Sequence, residues 1–211
     1  MWSAMPPYNA AREARLADAA IEVLAREGSR GLTHRAVDAQ AGEPPGTTSR
    51  YFRTRDALVR GVVARASALH FDDLGRVELD HLDPAALGDH FVAQLRSSLT
   101  MFRSRHVAML ELFMESVRRP ELREHLTGTR RAQIEVIRRV HAAAGVDLPP
   151  ARAATLAASL TGLYLLALTT PAALGPRGID DLDDLVRTAV AASLEQSGLK
   201  QGSLDQSSVR Q

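Results

Sequence analysis

The sequence predicts an all-α protein, and three observations carry that expectation. Apolar residues recur three and four positions apart in the long segments, whereas the strict alternation of a half-buried strand is absent. Glycine and proline fall between those segments, at Gly42, Gly75, Pro120, Gly145 and Pro149-Pro150, where helices start and stop. A chain of 211 residues with 45% hydrophobic content is long enough to bury one or two modest cores, and with no cysteine it does so without disulfides.

The most informative stretch, Leu32 to Phe52, reads as two short helices joined by a tight turn. Thr33 is placed to cap the first with its hydroxyl, Ala36, Val37 and Gln40 or Ala41 complete it, and Gly42 sits where the chain must bend. Pro44 and Pro45 suit the first turn of the second helix, where a missing N–H strands no partner. The residues that follow, Gly46, Thr47, Thr48, Ser49, Arg50 and Tyr51, are small or hydrogen-bonding rather than apolar, so this helix is not mainly core. Hydroxyls, a guanidinium and a phenol read base edges and phosphates in a major groove, which makes it a recognition helix. Thr33 has two compatible roles, cap and phosphate donor, because a capped N-terminus points N–H groups at an anion. Arg50 suits a bidentate guanine contact or a phosphate, and Arg35 is a weaker phosphate candidate beside His34.

Over roughly Arg12 to Arg65 the chain resembles the TetR-type transcriptional regulators. Ala19-Ala20-Ile21-Glu22-Val23-Leu24-Ala25-Arg26-Glu27-Gly28 is similar to the family's first helix and its glycine stop, and Gly31-Leu32-Thr33 to the start of the second. Ala41 through Phe52 aligns without a gap on the recognition turn and helix, and Arg53-Thr54-Arg55-Asp56-Ala57-Leu58 on the start of a fourth helix. The resemblance implies a three-helix DNA-binding domain joined by that long fourth helix to a C-terminal helical domain for ligand binding and dimerisation. It further implies a phosphate contact for Tyr51, a buried role for Phe52 and a phosphate contact for Arg55 after the capping Thr54. Pro45 stands where a lysine is common and Ser49 where a tyrosine is common, which bears on the operator sequence. The expected division is a flexible segment 1–10, a DNA-binding domain 11–56, a ligand-binding and dimerisation domain 57–196 and a disordered tail 197–211.

Beyond residue 65 the pattern continues as helices with short polar breaks. The fourth helix runs to about Leu74 before Gly75; helices then follow over Ala85–Phe102, His106–Val117, Glu121–Ala144, Pro149–Thr170 and Asp180–Gln196. In the last two, Leu156, Leu160, Leu163 and Tyr164, with Leu182, Leu185, Val186, Ala189 and Val190, suggest half of a four-helix interface with a second copy. The resemblance implies the same dimer, which would place two recognition helices on successive major-groove faces of a palindromic operator. The C-terminal region is larger than dimerisation needs, so a small-molecule effector is expected. Candidate lining residues are Phe91, Leu95, Phe102, Met109, Leu110, Phe113, Met114 and Tyr164, with His106, Arg138 and His141 as polar anchors. Each has an alternative reading as ordinary core.

Net charge is only +1, but residues 1–65 hold ten arginines against seven acids, while the remainder is slightly acidic. Attraction to phosphate therefore depends on local placement rather than bulk field, which argues against a nonspecific architectural DNA binder. The seven histidines show no His-Glu-x-x-His spacing, and neither a phosphate-binding glycine loop nor a Gly-x-Ser-x-Gly elbow occurs, so catalytic and metal residues are expected to be none, as is a cofactor. The Asp180–Asp184 run is read as acids favouring a helix N-terminus, not as a metal site. No stretch reads as a membrane span and Met1–Pro7 lacks a signal pattern, so a cytoplasmic location is expected. The reading is a homodimeric, ligand-released repressor, with an activator or ligand-independent regulator of the same fold as the alternative and a helical enzyme as a distant one.

Overall fold

The computed structural model describes residues 9–75 and 82–194. Of the segment 1–10, only Asn9 and Ala10 fall among them, and Asn9 caps the first helix by accepting from Arg12 N at 3.0 Å; the tail 197–211 lies outside the described residues. The described residues contain nine α-helices and no strand: α1 Ala10–Gly31, α2 His34–Ala41, α3 Thr47–Tyr51, α4 Arg55–Gly75, α5 Leu87–Leu99, α6 Arg103–Ser116, α7 Pro120–Ala143, α8 Pro150–Thr169 and α9 Leu182–Leu194. Two 3-10 turns, Pro171–Leu174 and Gly178–Asp181, lie between α8 and α9. The Gly28 stop is real, since Gly28 adopts φ 68°, ψ −176° and interrupts α1 there. The chain forms two compact units, one of residues 9–75 with 102–129 and the other of 82–101 with 130–194. That division differs from the expected boundary at 56/57, because α6 and the start of α7 complete the core of the first unit.

In the first unit, Leu16, Ala20, Val23 and Leu24 of α1 meet Val37 of α2, Leu58, Val62 and Ala66 of α4, Ala108 and Leu112 of α6, and Leu122 and Leu126 of α7. Their spacing on α1 is the three-to-four pattern of one helical face. Asp18 receives both Nε and an Nη of Arg65, at 2.7 and 2.9 Å, and so ties α1 to α4. Phe52 is buried beneath α4, where Gly61 makes room for its ring.

In the second unit α8 and α5 both pack on α9. Leu156, Leu160 and Tyr164 of α8 and Leu182, Val186 and Val190 of α9 are buried within this unit. This corrects the expected dimer interface: Leu156, Leu160, Leu182, Val186 and Val190 already lie in the chain's own core, while Leu163, Leu185 and Ala189 are half-buried. The faces turned outward carry Ala158, Ser159, Leu165 and Leu166 on α8 and Ala191 and Ala192 on α9. By length and composition alone α8 could cross a membrane, with a mean hydropathy of 1.4 over its most apolar 18-residue window, a test that the core helix of a soluble protein also passes. The 180–184 acids mostly pair with arginines: Asp181 and Asp184 with Arg177, Asp184 also with Arg187, and Asp183 with Arg96 of α5.

Two histidines lie in this second core. His141 donates from Nδ1 to the Ile137 carbonyl at 2.8 Å, and its ring lies 5.6 Å from that of Phe91, which His90 meets edge-on at 5.4 Å. Burial lowers the pKa of both, and the charge of His141 lowers that of His90 further.

Two expectations follow from this packing. A β-carbon on Gly61 would lie 2.5 Å from Phe52 Cε1, so Gly61→Ala should lower the thermal midpoint by an amount corresponding to about 1–3 kcal/mol, although alanine in an open helix stabilises. A raised midpoint in a melting experiment would show that the ring yields freely. Because His90 and His141 have lowered pKa values, the unfolded chain binds more protons than the folded one just below the ordinary value of about 6.5. Their contribution to stability is therefore complete above that pH and declines as the pH falls through and below it. Melting curves at stepped pH should show a steeper decline for the unsubstituted chain than for His90→Gln; equal slopes would rule out that coupling.

Candidate nucleic-acid interface

The turn between α2 and α3 is built from local chemistry. Thr33 Oγ1 accepts from Ala36 N at 3.1 Å, capping α2, and Gly42 closes it in the left-handed conformation at φ 64°. The recognition helix begins later than expected. Pro44, Pro45 and Gly46 form the turn rather than its first residues, because Gly46 at φ 88° is not helical and the Pro44 carbonyl accepts from Thr47 N. Arg12 and Arg15 both reach Glu43 in this turn, at 3.3 and 3.2 Å.

Within α3 the side chains divide sharply. Ser49 and Arg50 are exposed, and Tyr51 is half-buried against the core. Thr47 and Thr48, expected to reach DNA, point the other way. The Thr47 hydroxyl donates to the Pro44 carbonyl at 2.7 Å, and the fully buried Thr48 donates to Asp38 Oδ1 at 2.5 Å. Asp38, which the sequence reading passed over, also accepts from Gly46 N and Thr48 N. At the other end of α3, His34 Nε2 lies 2.6 Å from the Phe52 carbonyl.

The arginines of the first unit separate by partner. Arg26, Arg60 and Arg65 pair with Glu27, Asp56 and Asp18. Arg55 is engaged within the unit: its guanidinium donates to the carbonyls of Leu32 and Ser29, both at 2.6 Å, and to Ser29 Oγ, and lies 3.8 Å from Glu115, so it helps hold the α1–α2 link. Among the described residues, Arg35, Arg50 and Arg53 have no acidic partner, and all three are exposed around the turn and α3. Arg53 was missed because its availability depends on which neighbours take the acids, something spacing does not report.

The residues expected to line an effector site divide between the units. Phe102, His106, Met109, Leu110, Phe113 and Met114 belong to the first; Phe91, Leu95, Arg138, His141 and Tyr164 belong to the second. Met109 and Phe113 pack on the core around α1, Phe102 lies under the Arg105 guanidinium at 4.5 Å, and Met114 is 64% exposed. The His106 ring meets that of His70 of α4 at 5.9 Å. In the second unit, the Tyr164 hydroxyl donates to the Ser98 carbonyl at 3.4 Å, and Arg138 is tied to Glu135 and the Leu148 carbonyl.

A family model described as tetracyclin repressor-like, C-terminal domain, matches residues 82–196. No curated protein sequence matches the chain. Among solved structures, a transcriptional regulator from Rhodococcus sp. Rha1 superposes with a TM-score of 0.71 at 26% identity, covering 86% of this chain and 95% of that one. A member of the TetR family from Streptomyces coelicolor A3 gives 0.66 at 29% identity, over 86% and 97%. The multidrug binding protein EbrR complexed with ethidium gives 0.64 at 29% identity, over 88% and 99%. With the recognition helix in place and more than half of its length matched by the family's C-terminal domain, the chain belongs to the TetR family of transcriptional regulators.

Proposed function

We propose that the chain is a repressor that holds a palindromic operator as a homodimer and releases it when a small molecule binds. The observation that carries this reading is the recognition helix itself: it is formed and braced within the unit, with Ser49 and Arg50 turned outward and the unpaired guanidiniums of Arg35 and Arg53 beside it. These three arginines take phosphates or, for Arg50, a guanine edge. Thr33 and Tyr51 support the same face. Such a protein works on chromosomal DNA, and hence in the cytoplasm.

The homodimer is supported by α8. Only 22% of its most apolar window is buried in the chain, and an uncovered apolar helix in water calls for a partner. A second copy covers the outward face of Ala158, Ser159, Leu165 and Leu166, with Ala191 and Ala192 of α9, and the small residues there let helices approach closely. Two-fold pairing suits a palindrome whose half-sites lie about 34–36 Å apart. For the effector, EbrR complexed with ethidium or with proflavin, both at 29% identity, supports a flat aromatic compound. Phe91, Leu95, His141 and Tyr164, buried together in the second unit, are apolar and aromatic side chains that would line a site for such a compound if it opened. Release then follows from the difference in effector affinity between DNA-competent and incompetent forms.

Fluorescence anisotropy on a duplex selected from a random pool should saturate at two chains per duplex. Arg50→Ala and Arg53→Ala should each weaken binding, and loss of a phosphate contact should reduce the salt slope by roughly 0.9. If Arg50 reads a base instead, its replacement shifts the selected sequence at one position. A substitution that leaves affinity, slope and selection unchanged takes that residue out of the interface. For the dimer, Leu165→Glu with Leu166→Glu should give a helical monomer in sedimentation equilibrium; a persisting dimer would place the interface on another surface.

A further inference from the structure

We infer that Asp38 fixes the recognition helix in its DNA-reading position, as a positioning residue that touches no DNA; the inference rests on reading α3 as that helix. α3 has five residues, far fewer than an isolated helix needs, since the first turn orders several residues for a single hydrogen bond. Its N-cap position is Gly46, which has no side chain to satisfy the free N–H groups of the first turn. Asp38 supplies from α2 what α3 lacks. Oδ2 accepts from Gly46 N at 2.7 Å, while Oδ1 accepts from Thr48 N at 2.7 Å and from the Thr48 hydroxyl at 2.5 Å.

The carboxylate is 3% exposed and, among the described residues, no cation pairs with it. Its charge rests on those three donors and on the positive end of the helix. Using both oxygens constrains how far α3 sits from α2 and how it is rotated, and rotation decides whether Ser49 and Arg50 face outward. The helix is thus in place before DNA arrives, and binding does not have to order it.

This role has a sign that separates it from simple electrostatics. Removing an acid near a DNA-binding surface lessens repulsion and should tighten binding. Removing this one should weaken it. Three variants test the point, Asp38→Ala, Asp38→Asn and Asp38→Ala with Thr48→Val, each titrated against the duplex selected by the unsubstituted chain and melted in parallel.

Asp38→Ala should lose roughly tenfold or more in affinity with an unchanged salt slope. Asp38→Asn should fall between, because its oxygen still serves Thr48 while its amide N–H group faces the Gly46 N–H. The double variant replaces the hydroxyl with a methyl group and should recover much of the thermal midpoint without the affinity, since the Gly46 and Thr48 amides remain uncapped. In the free protein those two amide protons should exchange slowly, and fast in Asp38→Ala. Affinity equal to or tighter than that of the unsubstituted chain in folded Asp38→Ala and Asp38→Asn, or unaltered amide exchange, would overturn the assignment. If the unsubstituted chain enriches no duplex, the reading of α3 fails, and amide exchange alone still decides whether Asp38 grips the helix.

Discussion

A recognition helix of five residues cannot hold its own shape, and much of the first unit is arranged around that constraint. Its backbone gains little from propagation, so its geometry comes from neighbours. Asp38 grips its first turn, the Pro44 carbonyl accepts from both the backbone and the hydroxyl of Thr47, and the Phe52 ring anchors its end beneath Gly61. His34, at the start of α2, meets the Phe52 carbonyl. α2 therefore holds both ends of α3, and α2 is itself seated on α1 through Val37. The outward groups are few because the inward ones hold the helix.

A net charge of +1 gives little bulk attraction to phosphate, so the local pairing of the arginines matters more than the total. Glu43 takes Arg12 and Arg15, Asp56 takes Arg60, Asp18 takes Arg65, and backbone carbonyls take Arg55. Exposed ion pairs of this kind are each worth only about 0–1 kcal/mol, so their importance lies less in stability than in selection. Pairing sets which guanidiniums stay available to an outside anion, and Arg35, Arg50 and Arg53 are among those left without an acidic partner.

What was legible in the sequence was the chemistry that acts locally. The caps at Thr33 and Thr54 and the stops at Gly28, Gly42 and Gly145 depend on residues within a turn of one another, and each is present. What was not legible depends on distant neighbours. Thr47 and Thr48 read as hydroxyls for DNA because nothing in their own segment says which way α3 is rotated. One signal was available: Asp38 falls on the same stripe of α2 as His34, Val37 and Ala41, and an acid on an apolar stripe needs a buried donor, which Thr48 supplies. For α8 periodicity is silent, since a helix apolar on nearly every side does not reveal which side its own chain will cover. The stripe that looked most like an interface is the one that packs on α9.

Part of the family's C-terminal region, residues 102–129 of the stretch matched from residue 82 onward, belongs to the same unit as the DNA-binding helices. α6 lies within that match, yet Ala108 and Leu112 are buried in the same core as Leu16, Leu24 and Val62. Glu115 of α6 accepts from Ser29, whose hydroxyl also receives Arg55, so α6 is joined by hydrogen bonds as well as by packing to the link that leads into α2. A close-packed interior does not deform continuously, so α6 cannot shift without either opening a gap beside α1 or carrying α1 with it. The first alternative loses buried apolar contact. The second moves the platform on which α2, Asp38 and the recognition helix are mounted. α6 therefore belongs to the same packed body as α2 and α3, and a displacement of α6 reaches them through α1.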